Sequence, residues 1–83
     1  MFQIYVRINR TIVLEVEPTT TVLALKELIQ DREGIPIRAM WLVHNGRVLD
    51  DEYVLSDYRI ERESTVRCNI RAYAGETSKS KVE

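Results

Sequence analysis

A thiol–imidazole pair is the first chemistry the residues suggest, since the chain holds one histidine, His44, and one cysteine, Cys68. Cys68 falls on the apolar parity of a strand-like run, between Val66 and Ile70. A cysteine so placed is a small inert hydrophobe, because burial disfavours the reactive thiolate. His44 falls at the edge of a hairpin, where an aromatic-sized side chain covers the core. Neither placement makes a nucleophile or its base. Asp50, Asp51 and Glu52 suggest a cation site, but they lack the alternating oxygen donors of a calcium loop and read as a solvated acidic loop. A single cysteine allows no internal disulfide and no cysteine-based metal cluster. The residues therefore predict no catalytic site, no cofactor and no metal.

The surrounding pattern predicts what positions these groups. Thr21 to Pro36, TVLALKELIQDREGIP, is one amphipathic helix with both ends marked. Thr21 is the expected N-cap, Gly34 takes the left-handed position after the last turn, and Pro36 follows where a helix cannot continue. At about 100° per residue, Val22, Leu25, Lys26 and Ile29 share one face. Leu23, Ala24 and Leu28 lie off it, and Ala24 and Leu28, four apart, could form a second contact strip.

Phe2 to Arg7 alternates, with Phe2, Ile4 and Val6 inward and Gln3, Tyr5 and Arg7 outward. Asn9-Arg10 makes a short connection, with Asn tolerant of positive φ. Ile12 to Glu17 is a second strand, closed by Pro18, which cannot donate to a ladder; Val13 is apolar on its wet side. Ala39 to His44 is a third strand, with Met40 and Leu42 inward and Trp41 and Val43 outward. Asn45-Gly46 is the clearest hairpin turn and leads into a short strand, Arg47 to Leu49. Leu55 to Tyr58 is a tight turn that buries Leu55 and Tyr58. Thr65 to Arg71 is the last strand, with Val66, Cys68 and Ile70 inward. From Gly75 onward the periodicity is lost, so residues 76–83 are expected to be a flexible polar tail or linker. The expected fold class is α+β, a mixed sheet of four to five strands wrapping one helix.

A formal net charge of −1 and basic residues scattered along the chain argue against nucleic acid as a partner. No apolar run approaches the ~20 residues of a membrane span. MFQIYVRINR alternates and carries arginines, unlike a signal peptide. The expected compartment is cytoplasm, nucleus or both, and the expected state a monomer.

TIVLEVEP, IQDREGIP and LSDYRIERESTVR, in this order and spacing, closely resemble ubiquitin. The resemblance runs from Phe2 to about Gly75, one domain over residues 1–75, with one small gap. It implies the β-grasp fold and a non-enzymatic role, either as a covalent tag or as a docking module.

Three features carried over from the family are altered. The family's C-terminal arm ends in two glycines, and the last is conjugated; Ala74 replaces the first here, Gly75 is the candidate conjugation residue, and Glu76 to Glu83 follow it. Family surface lysines are matched by Arg7, Arg32, Arg47, Arg62 and Leu28. A guanidinium keeps the charge but cannot attack a thioester. Lys26 is the lysine left in the body, on the inward helix face, so the domain is not expected to build chains on itself. The family's docking patch on the outer sheet face is matched by Val43, Gly46, Arg47, Arg67 and Asn69, with Trp41 and Val48 supplying apolar surface and Arg71 alongside. The patch's loop leucine is missing, because the first hairpin is two residues shorter. Trp41 is the expected anchor, since exposed aromatics and arginine most often carry interfaces.

The leading expectation is thus a non-enzymatic ubiquitin-like interaction domain that docks proteins of the ubiquitin–proteasome or a related pathway, such as ubiquitin receptors, the proteasome or pathway enzymes. The alternative is a modifier made as a precursor, cleaved after Gly75 and conjugated to target proteins.

Overall fold

The computed structural model describes residues 1–71. Five strands form one mixed sheet: β1 (Phe2–Arg7), β2 (Thr11–Val16), β3 (Met40–His44), β4 (Arg47–Val48) and β5 (Thr65–Ile70). Their spatial order is β2-β1-β5-β3-β4. β1 and β5 run parallel at the centre, and the remaining pairs are antiparallel. One helix, α1 (Val22–Glu33), covers one face of the sheet. Short 3-10 turns at Ile37–Ala39 and Leu55–Tyr58 complete the fold.

The helix ends where its residues dictate. Thr21 Oγ1 accepts from the Ala24 amide at 3.0 Å. Gly34 sits at φ 75° and donates its amide to Gln30 O at 2.8 Å, so it closes the last turn in a conformation costly to any residue with a Cβ. Val22, Leu25, Lys26 and Ile29 are the buried positions of α1, as the helical spacing predicts. They pack on Ile4, Val6, Leu14, Leu42 and Val66 from the sheet. Asn45 and Gly46 both take positive φ, 54° and 76°, which suits the tight turn between β3 and β4.

Several expectations need correction. Ile70 keeps the inner parity, opposite buried Met40, yet is 42% exposed and not part of the core. β1 pairs with β5 only as far as Arg67, so Ile70 extends three residues beyond that neighbour and is flanked by β3 alone. Tyr58 is half-buried, because its phenol oxygen stays within reach of the backbone and accepts from the Asp50 amide at 2.9 Å. Positive φ falls on Arg59 and Glu63, not on Asn9. Arg59 closes the 3-10 turn, with its amide bonded to Leu55 O and Ser56 O. Glu63 turns the chain so that its amide meets Gln3 O at 2.7 Å. Leu49 is buried beyond β4, which is two residues long.

Candidate functional site

The outer face of the sheet is built by register. Arg7 of β1 lies beside Arg67 of β5, Arg67 opposite Val43 of β3, and Val43 opposite Val48 of β4. One row of side chains thus crosses four strands. Trp41 lies opposite Asn69 in a second row. The Arg71 amide donates to Ala39 O at 2.6 Å, which fixes the chain at the end of β5. The Arg71 guanidinium carbon then stands 6.0 Å from the Trp41 ring centroid, at the limit of a cation–π contact.

Trp41 and Val43 are half-buried and Val48 is 55% exposed, so apolar surface is available on this face. Gly46 holds the hairpin that brings Val48 against Val43. The structure does not bring Arg47 to the same row. Arg47 pairs with His44, on the opposite side of the ladder, and lines a recess with Asp57, Tyr58 and Arg59. Gly75 lies outside the described residues.

Trp41 and Val48 also border a recess of about 390 Å³ lined by Lys26, Tyr53 and the acidic loop. That loop has work beyond solvation. Lys26 Nζ lies 2.7 Å from Asp51 Oδ1. The carbonyls of Tyr53 and Asp51 accept the first amides of α1, from Val22 at 2.8 Å and Leu23 at 3.3 Å. These amides have no partner inside the helix, so the loop closes the helix N-terminus. Nothing local in Asp50 to Glu52 signals this role, because the helix N-terminus it closes, at Val22 and Leu23, is distant in the chain.

His44 and Cys68 have separate partners. His44 Nδ1 donates to Thr65 O at 3.0 Å, which leaves Nε2 as the acceptor facing Asn45 Nδ2 at 3.4 Å. Cys68 is buried, with its Sγ 3.9 Å from Met40 Sδ. Burial pushes the Cys68 thiol above its ordinary range, and the nearby Lys26 charge only partly offsets this. A thiol so held is a poor nucleophile. Among the described residues, no three His, Cys, Asp or Glu side chains cluster closely enough to hold a metal ion. None of the described helices is long and apolar enough to cross a membrane.

The family model for ubiquitin matches residues 4–73, most of the chain, from Ile4 within β1 through α1 to the end of β5. The chain belongs to the ubiquitin family. This ubiquitin-family chain is 38% identical over 69 residues to AN1-type zinc finger protein 4 of Mus musculus, covering 83% of the chain and 9% of that protein. It is 36% identical over 74 residues to a ubiquitin-like protein 1–ribosomal protein eS31 fusion protein of Caenorhabditis briggsae, covering 89% of the chain and 43% of the relative. It is 32% identical over 61 residues to UV excision repair protein RAD23 homolog B of Homo sapiens, covering 70% of the chain and 15% of the relative. The ubiquitin-like chain thus spans less than half the length of each of these relatives.

Proposed function

We propose that this ubiquitin-like domain is a non-enzymatic docking module. It binds proteins of the ubiquitin pathway, in cytoplasm or nucleus, through the outer sheet face around Trp41 and Val43. The observation that carries this reading is the register Arg67–Val43–Val48, which sets apolar and cationic side chains side by side on a face that no described element covers. Trp41, Asn69 and Arg71 extend it, with Gly46 shaping its edge. A fixed sheet presents these groups with little ordering cost on binding. Burial of Lys26 supports docking over chain building, since the amine is held against Asp51 within the body.

The test is Trp41→Ala against the unaltered chain, both checked for fold by circular dichroism. Backbone amide shifts are followed as a ubiquitin-pathway receptor is titrated in. Shifts along β3 and β5 that weaken in the variant support the face; equal binding by a folded variant sinks it.

The similarity to a fusion protein whose first part is ubiquitin-like favours a second reading, a modifier released by cleavage after Gly75. Mass spectrometry of the chain after incubation with lysate and ATP separates the two. Loss of residues 76–83 with higher-mass adducts supports the modifier; an intact chain opposes it.

A further inference from the structure

A polar recess lies between the β3–β4 hairpin and the 3-10 turn Leu55–Tyr58. Its volume is about 470 Å³, and His44, Asn45, Arg47, Asp57, Tyr58 and Arg59 line it. None of these is aliphatic, so the recess suits a polar group. Arg47 reaches it because β4 alternates, with Val48 on the other side of the strand. Arg59 reaches it because it closes the 3-10 turn at φ 59° and ψ 36°. That backbone favours glycine or asparagine, so an arginine is held there at a conformational cost.

The other polar groups of the recess already have partners. His44 Nδ1 donates to Thr65 O at 3.0 Å, and Asn45 Nδ2 stands 3.4 Å from His44 Nε2. Asp57 Oδ2 accepts from the Val54 amide at 3.1 Å. Tyr58 Oη accepts from the Asp50 amide at 2.9 Å, which leaves its own proton to donate. The two guanidiniums differ. The ion pairs among the described residues are Arg10–Glu33 and Lys26–Asp51. Neither Arg47 nor Arg59 therefore has a described carboxylate within 4 Å, not even Asp57 on the same rim.

We infer that this recess takes a phosphate monoester carried on a side chain of a partner protein, as in phosphoserine. The inference goes beyond the docking reading, since neither Trp41 nor Val43 lines the recess. A monoester carries about −1.5 to −2 charge at neutral pH and offers three acceptor oxygens. Those oxygens can take forked bonds from both guanidiniums, with the Tyr58 hydroxyl as a further donor. A carboxylate, with two oxygens and one charge, fills only one fork. Asp57 opposes an anion, but two arginines leave the recess net positive. Two arginines are also too few for a nucleic-acid track, or for the clusters of about four to eight basic residues that hold anionic lipid.

A phosphoserine-centred peptide pool with degenerate flanks, and the same pool unphosphorylated, are titrated into the chain while backbone amide shifts are followed. Arg47→Gln and the double variant Arg47→Gln/Arg59→Asn are run in parallel. Asparagine keeps the left-handed turn and removes the guanidinium. The phosphorylated pool should shift Arg47, Tyr58 and Arg59, and the unphosphorylated pool should not. Affinity should fall as salt rises, and by about tenfold or more in the double variant, with Arg47→Gln in between. The double variant should melt no lower than the parent, so that the loss is not unfolding.

The inference is overturned by a phosphorylated pool that gives no shifts, that shifts only Trp41 and Val43, or that binds the folded double variant equally well. A glutamate-centred pool that binds as tightly overturns it in favour of a carboxylate. Inorganic phosphate that binds as tightly as the pool overturns a protein source. Phosphatidylcholine vesicles containing phosphatidylinositol 4-phosphate that bind more tightly than the pool overturn it in favour of a lipid headgroup.

Discussion

Lys26 Nζ and Asp51 Oδ1 are 2.7 Å apart, and this one contact joins the helix to the loop that caps it. Lys26 is only 8% exposed, so its ammonium depends on Asp51 for compensation. Asp51→Ala is expected to destabilise the fold by about 1–3 kcal/mol, with half-exposure of the carboxylate keeping the loss below that of a fully buried pair. Lys26→Met in the same chain should restore part of it. Urea unfolding of the single and double variants checks both.

The same burial predicts slow acylation of Lys26. Acetic anhydride labelling followed by peptide mass analysis should modify Lys26 much faster in urea than in the folded chain. Equal rates would mean that the Asp51 contact opens readily.

The helix ends offer a second stability test. Thr21→Ala removes the hydroxyl that caps the Ala24 amide and should cost about 1 kcal/mol. Gly34→Ala should cost about 1–2 kcal/mol through backbone strain alone, since φ is 75° and nothing lies within 4 Å of the added Cβ. Gly34→Asn should lose less, because Asn tolerates the left-handed region.

Cys68 predicts an alkaline weakness. Its thiol ionises less readily folded than unfolded, so the stabilisation is fully present below about pH 8.5 and declines as pH rises beyond it. Cys68→Val should flatten that decline in thermal melts between pH 8 and about pH 10. Iodoacetamide should label Cys68 slowly until the chain is unfolded.

Trp41 is the one tryptophan, so its fluorescence reports on the outer sheet face without interference from another indole. Arg71 stands over the ring. Arg71→Ala should increase quenching of Trp41 by acrylamide and leave the melting temperature nearly unchanged, as a 6.0 Å cation–π contact at a half-exposed site contributes little. Unchanged quenching would show that Arg71 does not cover the ring in solution.

Much of the fold was legible because its signals are local. Val22, Leu25, Lys26 and Ile29 are buried because helical spacing places them on one side, and this needs no knowledge of the partner surface. Thr21, Gly34 and Asn45-Gly46 act through their own backbones. The errors fall where a residue's fate depends on a distant strand. Ile70 alternates as an inward residue, but β1 no longer runs beside it. Arg47 follows Gly46 in sequence, yet pairing with His44 turns it away from Val43 and Val48.

By itself, the sequence determined that Arg7 and Arg67 point to the wet side of their strands, that Trp41 and Val43 share a face, and that Lys26 points to the core. Alternation and helical period are short-range properties of the chain. Only the tertiary structure decided that β1 and β5 lie side by side, which sets Arg7 against Arg67, and that the acidic loop reaches α1, which sets Asp51 against Lys26. Strand neighbours and loop docking follow from how the whole chain closes its core. The Arg7–Arg67 neighbours and the Lys26–Asp51 contact therefore become visible only once the strand order and the docking of the loop are known.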